Sequence, residues 1–344
     1  MLVYKYRGGS FSRDLEALKE DFFWAPTREH LNDPCEGLCS KTLLDQQLDL
    51  IHSLFKPKQR TNNDRVFQNV KSALQEFLGF TDKAGIYSLS KSPYEELLWA
   101  HYACSHTGFC IEYDLEKLLE FEAKNYNKID VLYKKAPPKL SLADLNASEG
   151  PSAIQKLLGT KPESWSYEQE IRVITPAIGW HNYDFRAVKT IFFGLRMPEE
   201  EKNEVMHQLR GRNICYKQIS LIDGTYKLGA SSIKDPYQDS EKYKYAIAPI
   251  QAHAIYEEDT NDHFKKYMEY LYKAAEVVRR EPYCNIVELV NFSAEKGSPA
   301  KPVVFVQYKR KEHRCVNRYL TLPEIDKLYS QIDDMATNEP EAPA

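Results

Sequence analysis

Apolar and polar residues alternate from the first positions of the chain: Leu2, Tyr4 and Tyr6 fall on one side, Val3, Lys5 and Arg7 on the other. That is the period of a β-strand. The strand delivers Arg7 at its C-terminal end, where Gly8-Gly9 lets the backbone turn or approach a ligand closely. A short helix capped by Ser12 or Asp14 is expected through Leu15 and Leu18, then an aromatic strand from Phe22 to Ala25. Leu31 to Gly37 is turn-rich, because asparagine and aspartate bond their own backbone and Pro34 stops regular structure. Spacings of three and four among Leu44, Leu48, Ile51 and Phe55 predict a helix, and Val66, Val70, Leu74 and Leu78 a second one after a polar break. Gly85 to Ser90 reads as a strand. Ser92-Pro93-Tyr94-Glu95 has the layout of a capping box with proline in first position, opening a helix that carries Leu97, Leu98, Trp99, His101 and Tyr102. Phe109 to Tyr113 is the next strand.

Residues 136–165 are rich in proline and lysine, then helical in pattern. They lead into Tyr167-Glu168-Gln169-Glu170-Ile171-Arg172-Val173-Ile174, read as one strand. On it Glu168, Glu170 and Arg172 share a face, while Ile171 and Val173 point to the core, so two carboxylates stand together on an open side. Further expectations are a strand at 188–194, a helix at 198–209, and a hairpin of 216–222 and 225–228 around Asp223-Gly224. Character changes near 250. A helix at 263–279, a strand at 303–308 and a helix at 322–334 follow, then a disordered tail. The pattern predicts an α+β fold: residues 1–250 with a split, mostly antiparallel sheet and helical insertions, a smaller C-terminal α/β region at 251–336, and a tail at 337–344.

Composition changes this picture little. A net charge of −4 gives no overall pull toward nucleic acid or membranes, and basic runs are local, at 56–60, 242–244 and 309–314. No apolar run approaches the roughly 20 residues that span a bilayer, and the first residues lack the layout of a signal peptide. The seven cysteines are scattered and odd in number, which suits free thiols in a reducing compartment. A cytoplasmic protein without a membrane partner is expected. Only Cys35 and Cys39 are close, and no zinc site is read.

Candidate chemistry gathers on three strands: Tyr6-Arg7-Gly8, Tyr87-Ser88-Leu89-Ser90 and Glu168-Gln169-Glu170. Their order resembles the arginine–serine–glutamate class of ADP-ribosyltransferases. In that class an aromatic-flanked arginine ends the first strand, Ser-x-Ser lies on a second, and Glu-x-Glu enters a later one. The chain also resembles a bacterial family of unassigned function, through Tyr4-Lys5-Tyr6, Leu31-Asn32-Asp33-Pro34, Trp99-Ala100-His101-Tyr102 and Trp165-Ser166-Tyr167-Glu168-Gln169-Glu170, over roughly residues 1–230. The first resemblance implies a split sheet of ADP-ribosyltransferase type, NAD as substrate and an unidentified macromolecular acceptor. A role as toxin or phage-defence effector would be in keeping. Glu170 would hold the nicotinamide ribose and stabilise an oxocarbenium-like state, Glu168 would orient the acceptor, and Ser88 would fix Glu170. Arg7 would meet the pyrophosphate, with Tyr6, Tyr87, Ser90 and His101 completing the NAD pocket. The middle motif reads Ser-Leu-Ser rather than the usual Ser-Thr-Ser, and the long separations require insertions at 41–79 and 136–160. Two rivals stand beside this reading: a nuclease binding magnesium through Glu168, Glu170 and an aspartate such as Asp114, and a non-enzymatic module recognising a nucleotide or peptide. A third, plainer possibility leaves the glutamates solvated or paired with Arg172.

Overall fold

A computed structural model describes residues 1–40, 42–54, 72, 76, 79, 81–122, 125–145, 153–243, 247–255, 262–281, 284–311 and 314–332. The chain divides into two compact units, Met1–Glu241 and Lys242–Ala344. Among the described residues no helix is long and apolar enough to cross a membrane.

The first unit is built on an eight-stranded sheet. In chain order its elements are β1 (Leu2–Arg7), α1 (Phe11–Lys19), β2 (Phe22–Ala25), α2 (Thr42–Leu54), β3 (Gly85–Ser90), α3 (Glu96–Tyr102), β4 (Phe109–Asp114), α4 (Leu115–Leu119), β5 (Asn127–Asp130), β6 (Leu132–Lys134), α5 (Ala153–Leu158), β7 (Thr160–Pro162), β8 (Glu170–Thr175), β9 (Gly179–Asn182), β10 (Val188–Phe193), α6 (Glu199–Gln208), β11 (Cys215–Leu221) and β12 (Leu228–Ile233). The large sheet runs β12-β11-β10-β4-β1-β3-β8-β5. Only β10 and β11 are parallel; every other neighbouring pair is antiparallel. This is the mostly antiparallel sheet that the alternating patterns led us to expect. Alternation also sets its faces. Val3, Tyr87, Leu89, Ile111, Ile171 and Val173 enter one core, and Tyr6, Cys110, Phe192 and Ile219 enter another with Trp99 on the opposite side. Burying Ile171 and Val173 contributes roughly 1.5–3 kcal/mol each.

Between β1 and β3 the pairing is confined to Tyr4 and Ser90. Beyond that bridge the strands part, and the side chains of Lys5 and Arg7 enter the gap. The ends of this gap are held by close backbone contact. A Cβ on Gly108 would lie 2.0 Å from the Arg7 carbonyl oxygen, and one on Gly8 would lie 2.6 Å from the Ala103 carbonyl carbon. Between these glycines' contacts, Cys104, Ser105 and His106 are successively left-handed, with φ of 47°, 53° and 72°. Such a run is costly for L-residues. It is held by the His106 ring stacked on Trp99 at 6.0 Å and by the Arg196 amide donating to the His106 carbonyl at 2.9 Å.

Several local expectations need correction. Glu168 is not on the strand: Glu163–Glu168 forms a 3₁₀ turn, Gln169 is left-handed (φ 45°), and β8 opens at Glu170. Trp165 and Tyr167 alternate with serines in this run, but neither is fully buried, and the left-handed Gln169 separates the run from β8. Helix α1 starts at Phe11 after Ser10, not at a Ser12 or Asp14 cap, and Asp14 is buried. Ser92 turns the chain through a bond from the Tyr94 amide, but α3 opens at Glu96 without a capping box. The hairpin around Gly224 forms, with its second strand at β12. Of the expected helix over Val66–Leu78 only Ser72 and Glu76 are described, both helical; its apolar positions and the tail lie outside the described residues.

The second unit holds α7 (Glu269–Val278), β13 (Ile286–Phe292), β14 (Val303–Lys311), β15 (Arg314–Thr321) and α8 (Leu322–Tyr329). Its three strands form an antiparallel sheet in the order β13-β14-β15. Leu271, Ala274, Val287, Val304, Val306 and Ile325 make its core. The helix expected over 263–279 is a 3₁₀ turn at Asp262–Tyr267 followed by α7.

Candidate active site

A cleft of about 710 Å³ opens where β1 and β3 part. All eight candidates from the sequence line it: Tyr6, Arg7, Tyr87, Ser88, Ser90, His101, Glu168 and Glu170. Strand order explains why, since β1, β3 and β8 are neighbours and the register sets Ser90 beside Glu170 and Ser88 beside Arg172.

The glutamate end is not the open face that alternation along one strand implied. Glu168 and Glu170 are 5 % and 4 % exposed and belong to a buried ion network. Lys161 on β7 places its Nζ 2.6 Å from Glu168, 3.0 Å from Glu170 and 3.4 Å from Glu36. Arg172, fully buried, grips Glu36 through two bonds of 2.8 and 2.5 Å and Glu170 through two of 2.8 and 3.2 Å. Paired, bidentate geometry of this kind is the strong form of an ion pair. The plainer possibility, Glu170 paired with Arg172, is therefore part of the site. Tyr102 donates to Glu168 at 2.8 Å, and the Ser90 hydroxyl donates to the Glu168 carbonyl at 2.8 Å. The Glu170 amide donates to the Tyr133 hydroxyl at 2.8 Å. Burial alone would raise the Glu170 carboxyl. Arg172 and Lys161, with a hydrogen bond from Ser88, overcome this and hold it down to about 2. The same neighbours keep Lys161 charged: burial lowers its pKa, but Glu170 and Glu168 raise it above the ordinary value.

Glu36 reaches the network from the loop whose turn chemistry was plain in the sequence. The Asp33 carboxylate accepts the Cys35 amide at 2.9 Å, and the Glu36 amide donates to the Asp33 carbonyl at 3.1 Å. The turn formed by Asp33 thus aims Glu36 at Arg172.

The opposite end of the cleft is cationic. Arg7 meets the Tyr87 hydroxyl at 3.4 Å and Asp14 at 3.9 Å, long contacts that use few of its five donors. Arg13 lies 3.5 Å from the same Asp14. Lys5 donates to the Ser88 carbonyl at 2.8 Å and sits 4.9 Å from the Tyr87 ring centre. Burial, then the charge of Arg7, push the Lys5 ammonium down to about 7, against the pull of Glu170, Asp14 and Glu168. Tyr6 is a wall residue whose hydroxyl donates to the Ser92 carbonyl at 2.8 Å. His101 is exposed on the rim. Trp24 also lines the cleft, 39 % exposed and packed on Trp180.

Lys161, Glu36 and Tyr102 were not candidates from the sequence, and Lys5 stood there on the Arg7 face and in the Tyr4-Lys5-Tyr6 motif, as a phosphate contact only in place of Arg7. Asp114, the aspartate given as an example for the nuclease reading, is elsewhere: it caps α4 by accepting the Glu116 amide at 3.1 Å. Lys161 stands between Glu168 and Glu170 where that reading would place a cation. Among the described residues no group of three His, Cys, Asp or Glu side chains is placed to hold a metal ion.

No curated protein and no solved structure matches the chain. Residues 98–173, from α3 to Val173 of β8 and so including Tyr102, Lys161, Glu168 and Glu170, match a family model described as a protein of unknown function (DUF2971).

Proposed function

We propose that the chain is an NAD-dependent ADP-ribosyltransferase, which cleaves the nicotinamide glycosidic bond and transfers ADP-ribose to a macromolecular acceptor. The observation that carries this reading is the opposite charge at the two ends of one cleft, built by the three neighbouring strands that bear the arginine, serine and glutamate motifs. At the β8 end three carboxylates, Glu36, Glu168 and Glu170, face two cations, Lys161 and Arg172, so one buried negative charge is in excess. At the β1 end Arg7 and Arg13 outnumber Asp14, and Lys5, drawn by both Glu170 and Asp14, lies between the two ends. A dinucleotide with a diphosphate in its middle and a cationic ring at one end matches that polarity.

Bound so, the diphosphate meets Arg7 and Lys5 beside Tyr87, and the nicotinamide ribose reaches Glu170. As the glycosidic bond breaks, nicotinamide leaves with the bonding electrons and positive charge develops on the ribose carbon. The Glu170 carboxylate, preorganised by Arg172 and the Ser88 hydroxyl, stabilises that charge. The nucleophile of the acceptor then bonds to the same carbon, and Glu168 takes its proton. Tyr6 and Ser90 shape the pocket behind these groups, and His101 stands at the rim where an acceptor enters.

The test is nicotinamide release followed by mass spectrometry, with host-cell extract supplying acceptors. Glu170→Gln, assayed where the variant is still folded, should slow release by about a hundredfold or more, an electrostatic loss on the order of 3 kcal/mol. Its NAD dissociation constant should change far less. Glu168→Gln should depress transfer while sparing hydrolysis by water. Absence of nicotinamide release from the wild type, with extract present, would overturn the proposal.

A further inference from the structure

The second unit carries a surface that the cleft chemistry does not use. In its sheet, alternate residues of β14 and β15 enter the core with α7 and α8, Val304, Val306, Tyr308 and Leu320 among them. The intervening residues form the other face, and none of those named here is fully buried. Phe305 pairs in register with Tyr319, and Gln307 with Asn317. The two rings lie 5.2 Å apart, tilted at 51°. The Lys296 ammonium, from the β13–β14 connection, sits 3.3 Å from the Tyr319 ring centre. In the next row the Gln307 amide donates to Asn317 at 2.9 Å, and beyond it Lys309 is held loosely by Glu288 at 3.8 Å.

Charge says what kind of molecule fits. The chain as a whole has a net charge of −4, yet the open face sets two ammonium groups, Lys296 and Lys309, against Glu288, while Arg310 and Arg318 belong to the core side. A pair of rings, a row of amides and flanking ammonium groups on a half-exposed sheet match a ligand with repeated planar rings and repeated anions. Single-stranded nucleic acid is that ligand: bases stack on aromatic faces, and the backbone follows positive charge. Gln307 and Asn317 add donors and acceptors beside the rings, suited to base edges and to the 2′-hydroxyl that separates RNA from DNA. We propose that the open face of the β13-β14-β15 sheet binds single-stranded RNA, with bases on Phe305 and Tyr319 and phosphates on Lys296 and Lys309. In the free protein Lys296 covers Tyr319; on binding, the ammonium moves from the ring to a phosphate. This site does not depend on the transferase reading.

The test uses the full chain and fluorescence anisotropy with a labelled oligouridylate, an oligothymidylate of equal length, a duplex RNA and heparin. The expected result is binding of oligouridylate that weakens with salt and exceeds binding of the other three. Phe305→Leu with Tyr319→Leu keeps apolar bulk on the sheet while removing the rings, and should weaken oligouridylate binding about tenfold or more. Lys296→Ala with Lys309→Ala should flatten the salt dependence. Circular dichroism and a thermal melt establish that each variant is folded. No binding of oligouridylate by the wild type overturns the proposal. So does equal binding by the folded leucine variant, and so does equal affinity for heparin or duplex. Equal affinity for oligothymidylate overturns the assignment to RNA.

Discussion

Lys5 has neighbours that oppose one another. Burial and Arg7 disfavour its charge, while Glu170, Asp14 and Glu168 favour it, and the balance lies at about 7. An amine poised there is charged just below neutrality and neutral just above it. If it helps bind a diphosphate, affinity for NAD should fall as pH rises through about 7, because the cation the anion needs is lost. Lys5→Arg stays charged throughout and should remove that dependence. Calorimetric dissociation constants on either side of neutrality would decide it, and an unchanged pH profile in the arginine variant would sink the assignment. Glu36 poses a different question, since it touches Arg172 rather than the reacting atoms. Glu36→Gln breaks a buried ion pair and leaves Arg172 short of a partner, an effect on the order of 3–5 kcal/mol in stability. Where the variant remains folded, it should lower the rate of nicotinamide release more than it weakens NAD binding. Loss of binding alone, with the rate unchanged, would mean that Glu36 does not position Glu170.

The elements explain both what could be read in advance and what could not. Strands β1, β3 and β8 were legible because Val3, Leu89, Ile171 and Val173 alternate with polar residues and must be buried on one face. The gap between β1 and β3 was not legible as a place, since nothing local says that pairing stops after Tyr4 and Ser90. Lys161 was missed because a lysine in a three-residue strand reads as a solvated charge, and Glu36 because its partner is 136 positions away. The turn residues around Glu36 were visible, but not the direction in which they aim it. Gly108 marks the same limit: its Cβ would lie 2.0 Å from the Arg7 carbonyl, a constraint written in three dimensions only. Gly108→Ala should therefore push the end of β1 aside, destabilising the fold by roughly 1–3 kcal/mol and weakening NAD binding through Arg7. Gly9→Ala, whose Cβ meets only the tip of Arg13 at 3.3 Å, should spare the fold, and any change in NAD binding would pass through Arg13 rather than Arg7. Thermal melts and NAD titrations on both variants test this, and a harmless Gly108→Ala would show that the close contact does not set the position of Arg7.

At the scale of the whole molecule the site's charge network becomes a property of one unit. All four tryptophans lie within Met1–Glu241, so their fluorescence follows that unit alone. The Glu170 carboxyl ordinarily titrates near 4.5, and in the fold it is held down to about 2. A carboxyl depressed in this way stabilises the folded state above its ordinary pKa, and that contribution is lost as pH falls from 4.5 toward 2. Urea unfolding read by tryptophan fluorescence should show wild type losing stability across that window. Glu170→Gln has no proton to gain at this position. It should start less stable at neutral pH, by on the order of 3 kcal/mol, because Arg172 and Lys161 lose an ionised partner. The gap between the two proteins should then narrow as the medium is acidified, since protonation brings wild-type Glu170 to the charge state of glutamine. A gap that stayed constant down to the lower end of the window would mean that the ion pairs of Glu170 add no stability. Its depressed pKa would then have to be traced to a neighbour that survives in the unfolded chain.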